Sequence, residues 1–481
     1  VRPELVQGLL QLKEDIETIK PNLVIAFGGQ PLRFLTNKFG IEKWRGSILE
    51  STLVKGQKVI STYHPAYCLR IYDYKAVVEF DLRRCKEEGE HSSVLLPQRD
   101  LILDPPYDQR PGLLRDLLKA QWLAVDIECT ENVNGGGWRL TCVGFSDRPD
   151  RAVVIPLAGH ESVEFIRALC ESDVPKVLQN GTFDSTVLAQ NGIALRNFQW
   201  DTMLAHHALF PECSSGADEV SILGGKKRQS AIAKGLAFQA SIYTREPFYK
   251  DDGKLWTETG DVQMFYRYNG LDAAVTREIQ DVQRVELEAF GTGMVFEHEM
   301  SLVSPLMAAT NKGIRIDVAK VKQLKDKYEG EIAKLQDFLD AGAGVAVNVK
   351  SPKQVQHILY EKLGLPPKYQ RGTGNLTSDK DAINELAAKH AHPILLTILA
   401  IRERRDLIER YLDAAYDADG RMRCSFDITG TRSGRLSSRQ SIYGSGTNLQ
   451  TIPPSLRSIF IADPGHLFYY IDLSQAEARV V

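Results

Sequence analysis

Ala124-Val125-Asp126-Ile127-Glu128 is the stretch from which the rest of the chain can be read. The apolar run that opens at Trp122 and carries β-branched Val125 and Ile127 predicts a strand over 122–127. Side chains alternate along a strand, so Asp126 and Glu128, two residues apart, project from one face. Two adjacent carboxylates repel each other unless a cation lies between them. The pair therefore suits a divalent metal, although alone it reads more simply as a solvated strand edge. Working outward, Asn132–Gly137 predicts a turn into a second strand at Leu140–Phe145, and Ala152–Pro156 predicts a third. Helical patterns follow. Early strands in sequence, then helices, make this part of the chain α/β.

Two further stretches lie downstream. The apolar run Lys176–Leu178 ends in Gln179-Asn180-Gly181-Thr182-Phe183-Asp184, where a helix begins, and Asp184 in a first turn suits the helix dipole. Tyr268-Asn269-Gly270-Leu271-Asp272 puts Tyr268 and Asp272 four apart on one helix face. Singly, each has a structural explanation. In this order within one block, D-x-E, N-x-x-F-D and Y-x-x-x-D resemble the three exonuclease motifs of the DEDDy nucleases, and Asp201-Thr202-Met203-Leu204 is similar to a segment downstream of the second motif. Arg267, rather than His, before Tyr268 favours the tyrosine subclass. The resemblance implies an RNase H-like fold and 3′→5′ hydrolysis of DNA with two Mg²⁺ ions. Asp126, Glu128 and Asp272 would hold one ion, and Asp126 with Asp184 the other. Tyr268 would orient the attacking water, its hydroxyl being a poor base at neutral pH but a good positioner.

Nearer the C-terminus the chain reads Thr431-Arg432-Ser433-Gly434-Arg435-Leu436-Ser437-Ser438, then Asn448-Leu449-Gln450-Thr451-Ile452-Pro453, then Ile471-Asp472-Leu473-Ser474-Gln475-Ala476-Glu477-Ala478-Arg479. These three runs resemble, in order, the T-x-x-G-R-L-S-S, N-L-Q-x-I-P and D-x-S-Q-x-E-x-R segments of family A DNA polymerases. The resemblance implies that Asp472 binds the catalytic Mg²⁺ pair and that Glu477 selects against a ribose 2′-hydroxyl. Arg435 and Gln450 would touch the duplex minor groove and the template, and Arg479 the phosphates or the primer. Glu477 also fits a capping box begun by Ser474. Arg421–Asp427 and Leu467–Leu473 are predicted strands. The preceding helical region resembles a polymerase thumb, from Lys312-Gly313-Ile314-Arg315-Ile316-Asp317 through Thr377-Ser378-Asp379. In it Ser351-Pro352-Lys353-Gln354 predicts a boxed helix start, and 394–411 an amphipathic helix. The family's fingers lysine and tyrosine and its H-D-E motif do not occur in this sequence.

The N-terminal part predicts a helix at Leu5–Ile19 and strands at Leu23–Phe27 and Lys58–Thr62. Pro21–Gly29, Arg45-Gly46 and Ser61-Thr62-Tyr63-His64-Pro65-Ala66-Tyr67 are similar to the later half of a uracil-DNA glycosylase of the iron–sulfur type. His64 otherwise reads as a turn residue before Pro65, and 73–85 as a last surface helix. The expected organisation is an α/β multidomain chain: 1–90 partial glycosylase-like domain; 91–111 linker, with Ser93–Leu96 as a candidate strand; 112–292 exonuclease; 293–415 helical thumb; 416–481 the start of the polymerase palm.

Composition agrees with a globular protein: 481 residues, 43% hydrophobic, 25% charged. A net charge of −3 excludes a generally basic coat but leaves room for local basic runs, at Lys226-Lys227-Arg228, 402–405 and 432–439. The seven cysteines form no C-x-x-C pair, which argues against a zinc site and for a reducing compartment. Both ends read as cut, with no signal peptide. The expectation is a DNA polymerase with proofreading exonuclease, monomeric, cytoplasmic in a bacterial or virus-infected cell, taking DNA and deoxynucleoside triphosphates. The chain as given would keep the exonuclease and not the synthesis. The alternatives are a stand-alone DEDDy exonuclease and a catalytically silent DNA-binding protein.

Overall fold

A run of residues becomes a strand when a neighbour supplies hydrogen-bond partners, and the sheets of this chain follow that rule. The computed structural model describes residues 3–72, 74–131, 137–212, 233–253, 260–370 and 374–480. Most of the Asn132–Gly137 turn, the Lys226-Lys227-Arg228 run and Cys213 lie outside them. By contact the chain divides into two units, one of Val1–Glu219, Gln229–Pro305 and Ile428–Leu436, the other of Val220–Arg228, Leu306–Asp427 and Ser437–Val481.

The first unit holds two sheets. The smaller, in the N-terminal part, has strands β1 (Val24–Phe27), β2 (Ile48–Glu50) and β3 (Lys58–Thr62) in the order β1-β3-β2, with β1 and β3 parallel. The larger has six: β4 (Asp100–Leu103), β5 (Leu123–Glu131), β6 (Trp138–Arg148), β7 (Arg151–Pro156), β8 (Lys176–Leu178) and β9 (Phe198–Asp201), ordered β4-β7-β6-β5-β8-β9. β5, β6 and β7 are antiparallel neighbours, while β8 and β9 continue parallel from β5. The strand expected at Ser93–Leu96 is not there: those residues are irregular, and β4 forms instead at Asp100–Leu103 along β7. Asp100-Leu101-Ile102-Leu103 finds a parallel partner in 151–154, whereas Leu95 stays exposed and Pro97 follows it.

Alternation along β5 divides its work. Leu123, Val125 and Ile127 enter a core with Phe145, Val153, Ile155, Phe165, Ile166 and Leu169. Asp126 and Glu128 face the other way, toward the helix Val262–Phe290, whose Asn269 bonds to Asp126. Gly144, opposite Asp126 in the β5–β6 register, allows that approach: a Cβ there would lie 2.8 Å from Asn269 Oδ1.

The N-terminal part is tied to the rest of this unit by buried charge. Arg45 grips Asp81 bidentately at 2.9 and 3.0 Å, Thr62 donates to the same carboxylate, and Arg45 also donates to Ser241 Oγ at 2.9 Å. Lys58 and Glu88 form a second buried pair, and Arg245 donates to Glu88 at 2.9 Å. The helix Tyr74–Glu88 lies at the surface with Lys75, Glu79, Arg83 and Lys86 exposed, and it buries Val77, Asp81, Cys85 and Glu88 on its other face. His64 caps the helix Pro65–Arg70, accepting from Ala66 N at 3.1 Å.

In the second unit, the helices Val318–Ala343 and Pro393–Leu407 share a core of Leu339, Leu395, Ile398 and Ile401. β10 (Ile314–Ile316) pairs antiparallel with β11 (Arg421–Met422) and β14 (Phe460–Ile461), and β12 (Cys424–Asp427) with β13 (Ser437–Gln440). The single strand expected at Arg421–Asp427 thus splits at Arg423. Met422 pairs with Ile314 and Cys424 with Gln440, while Arg423 turns to Asp419 at 2.6 Å. Ser351 accepts from Gln354 N at 3.4 Å, but the Gln354 side chain accepts from Asn348 N and so makes only half of the expected box. Leu467–Leu473 is not a strand: it is irregular, with Tyr469 84% and Ile471 86% exposed. Among the described residues no strand runs beside it, and β-forming side chains without a ladder do not make a strand.

Candidate active site

Three elements of the first unit bring the acidic residues together. β5 carries Asp126 and Glu128, the helix Gly181–Gln190 begins just ahead of Asp184, and the helix Val262–Phe290 presents Tyr268 and Asp272 on one face. Asp126, Glu128 and Asp272 each offer a carboxylate oxygen, and those oxygens all lie within 4.8 Å of one another. Among the described residues no other group of three His, Cys, Asp or Glu does so. Asp184 is buried, and its charge acts on Asp126.

Crowding acid groups away from water favours their neutral forms. Asp126 is held well above the usual carboxylate range, first by burial and then by Asp272, Glu128 and Asp184, with Lys250 opposing. Glu128 is pushed up to about 7 by burial and by Asp272, again against Lys250. Burial also raises Asp184, against backbone N–H bonds that favour its charge. This is the electrostatic condition of a site that gains from a cation.

Several residues that build the site were not singled out from sequence. Asn269 donates to Asp126 Oδ2 at 2.7 Å and to its carbonyl at 3.1 Å. Asp201 caps the helix Thr202–Leu209 through Met203 N at 2.8 Å. It also accepts from Asn180 N at 3.0 Å and Gly181 N at 2.8 Å, which pins the turn ahead of Asp184; Asn180 takes the left-handed conformation there, φ +57°. Tyr249 donates to Asp272 Oδ1 at 2.6 Å. Lys250 donates to Asp272 Oδ2 and, at 3.0 Å, to the Tyr268 hydroxyl. Burial, with Asp272, drives the Tyr268 phenol upward, so the hydroxyl keeps its proton. Gly253 leaves space for that ring, since a Cβ there would stand 2.9 Å from it.

The other sequence-predicted residues do not join this group. Arg435 is exposed in the 428–436 segment, where Thr431 Oγ1 donates to its carbonyl at 2.7 Å. That segment belongs to the first unit, with His207 Nε2 lying 3.1 Å from the Thr431 carbonyl and Nδ1 2.6 Å from buried Glu299. Gln450, Asp472 and Arg479 are exposed in the second unit; Asp472 stands in the irregular stretch and Arg479 on the short helix Ala476–Val480. The Glu477 side chain lies outside what is described.

Comparison with known proteins finds two matched segments. Residues 107–222 match the family model for the 3′-5′ exonuclease, and residues 318–481 that for DNA polymerase family A. DNA polymerase I of Synechocystis sp. is 29% identical over 359 residues, covering 70% of this chain and 34% of that protein. The thermostable DNA polymerase I of Thermus aquaticus is 36% identical over 195 residues, 38% of this chain and 22% of that protein. The solved POL domain of Pol1 from M. smegmatis, in complex with DNA primer-template and dNTP, is similar in fold, with a TM-score of 0.57 at 22% identity, over 75% of this chain and 57% of that one. One chain thus carries a 3′-5′ exonuclease segment followed by a DNA polymerase family A segment. It is a homologue of bacterial DNA polymerase I, and it spans about a third of the length of the Synechocystis relative.

Proposed function

We propose that this protein is a DNA-directed DNA polymerase of family A with a 3′→5′ proofreading exonuclease, and that the acidic group of the first unit is the exonuclease site. The convergence of Asp126, Glu128 and Asp272 oxygens within 4.8 Å carries this reading. The sheet order β4-β7-β6-β5-β8-β9, three antiparallel strands continued by parallel ones, supports the RNase H-like assignment. The division into the five segments given above remains part of the proposal, including a glycosylase-like character for residues 1–90.

The donors fit a hard divalent cation. They are carboxylate oxygens, the type Mg²⁺ prefers, and their ionised forms are disfavoured by mutual repulsion that a cation would relieve. Asp126, Glu128 and Asp272 would hold one Mg²⁺, and Asp126 with Asp184 a second. Bound there, the ions supply an activated water and charge stabilisation for phosphodiester hydrolysis. The chain's own residues do the rest. Asn269 fixes the Asp126 carboxylate, and Asp201 fixes the turn that delivers Asp184. Tyr268, protonated, donates from its hydroxyl to orient the attacking water. The substrate is the single-stranded 3′ end of DNA and the product a nucleoside monophosphate.

For synthesis, we propose Asp472 as a ligand of the polymerase Mg²⁺ pair, Glu477 as the gate against ribonucleotides, and Arg435, Gln450 and Arg479 as DNA contacts. Primer-template DNA and deoxynucleoside triphosphates are the partners of that site. The protein acts as a monomer in the reducing interior of a bacterial cell.

The test uses an oligonucleotide labelled at its 5′ end. With Mg²⁺ the chain should shorten it stepwise from the 3′ end, and chelation should stop the reaction. Degradation from the 5′ end, or undiminished cleavage in chelator, would refute the assignment.

A further inference from the structure

Lys250 stands in the acidic group, yet no motif in the sequence assigns it. It follows the extended stretch after the helix Leu236–Tyr243. Its ammonium donates to Asp272 Oδ2 and, at 3.0 Å, to the Tyr268 hydroxyl, and it lies 4.7 Å from the centre of the Tyr268 ring. Tyr249, the residue before it, donates to the other Asp272 oxygen at 2.6 Å. Asp272 is thus held from both sides, by a neutral hydroxyl on one oxygen and by a cation on the other. The Lys250 side chain is only 20% exposed, so its charge is poorly screened.

Two consequences follow from elementary chemistry. An ammonium on a carboxylate oxygen competes with any metal ion seeking the same oxygen, and repels an ion bound nearby. A tyrosine hydroxyl that accepts from an ammonium keeps its own hydrogen for another acceptor, which in the metal-free site is Asp272. We propose, on the exonuclease reading above, that Lys250 is a positioning residue of the nuclease site: it orients the Tyr268 hydroxyl and stands in for the divalent ion at Asp272 until the ion displaces it. Lys250 yields Asp272 to the ion and keeps Tyr268, so the residue that weakens metal binding is also the one that aligns the water-orienting hydroxyl.

The two roles predict effects of opposite sign. Lys250→Met keeps the aliphatic stem and removes the charge. Titrated with Mn²⁺ alone, without DNA, and read by electron paramagnetic resonance, it should bind the ion about tenfold more tightly than the parent chain. The same variant should lose about 100-fold in kcat for 3′-end degradation with little change in KM, as expected for a misaligned group. Lys250→Gln should show the same split, and Lys250→Arg should keep the weak Mn²⁺ binding of the parent. A residue that merely held the fold would weaken metal binding and turnover together. Unchanged or weaker Mn²⁺ binding by both Lys250→Met and Lys250→Gln would overturn the inference, as would a wild-type kcat in either. The metal titration needs no turnover, so it is read separately from the exonuclease assignment, which fails only if the parent chain does not degrade 3′ ends.

Discussion

β5 and the 467–473 stretch start from the same kind of sequence: a short run of apolar and aromatic residues with an aspartate near its end. Leu123–Glu131 lies between β6 and β8, hydrogen-bonded on both sides, with Leu123, Val125 and Ile127 in the core and Asp126 aimed at Asp184, Asp272 and Asn269. Leu467-Phe468-Tyr469-Tyr470-Ile471-Asp472 has no such neighbours among the described residues, and its side chains stand in solvent. The contrast separates two things a sequence encodes. A β-forming run declares a capacity for pairing, but partners elsewhere in the chain turn it into a strand and turn its aspartate into one member of an acidic group.

The sharpest way to break this comparison is to make matched truncations in the two runs. Val125→Ala removes two methyl groups from a fully packed position and should cost about 2–3 kcal/mol, seen as a clear drop in the thermal midpoint by calorimetry. An unaffected midpoint would mean that β5 is not the organising strand of its sheet.

An intermediate effect concerns charge. Glu128 is held up at about 7 against an ordinary 4.5, and Asp126 and Asp184 are shifted the same way. The native site therefore holds protons that the unfolded chain releases above pH 4.5, so the stability linked to Glu128 is full below that value and is lost as pH rises through about 7. A divalent ion binds the ionised forms, so its stabilisation should grow over the same window. Mg²⁺ should raise the thermal midpoint by a few degrees at pH 8 and by much less at pH 5.5. Equal shifts at the two pH values would count against the acidic group as the metal site.

The smallest effect belongs to the exposed run. Ile471→Ala should change stability by no more than about 0.5 kcal/mol, as for an ordinary surface position. A loss comparable to that of Val125→Ala would show that Ile471 is packed against something in solution.

The same physics decides how much of the molecule was legible in its sequence. Alternation put Asp126 and Glu128 on one face of β5, and helical periodicity put Tyr268 with Asp272; both are short-range regularities. The strand expected at Ser93–Leu96 forms seven residues later because Ser93–Leu96 and Asp100–Leu103 are locally alike, and only β7 distinguishes them. Arg421–Asp427 looked like one strand because nothing local announces that Met422 and Cys424 pair with different partners. Asn269, Asp201 and Lys250 were passed over for a related reason. Asn269 reaches Asp126 across 143 positions, Asp201 reaches Gly181 across 20 and Lys250 reaches Asp272 across 22, and a polar residue's distant partner leaves no periodic trace. Asn269 lies inside the Y-x-x-x-D segment and Asp201 opens Asp201-Thr202-Met203-Leu204. Lys250 follows Tyr249 in an irregular segment that carries no motif, and its role emerges only once Asp272 and Tyr268 stand beside it.

The most direct test of the central claim is a comparison of the parent chain with the double variant Asp126→Ala, Glu128→Ala on a single-stranded oligonucleotide in Mg²⁺, with circular dichroism recorded on both. The account predicts an unchanged spectrum and loss of mononucleotide release by at least about 10³-fold, since preorganised charge supplies most of such a rate. Mononucleotide release by the folded double variant at the parent rate would contradict it.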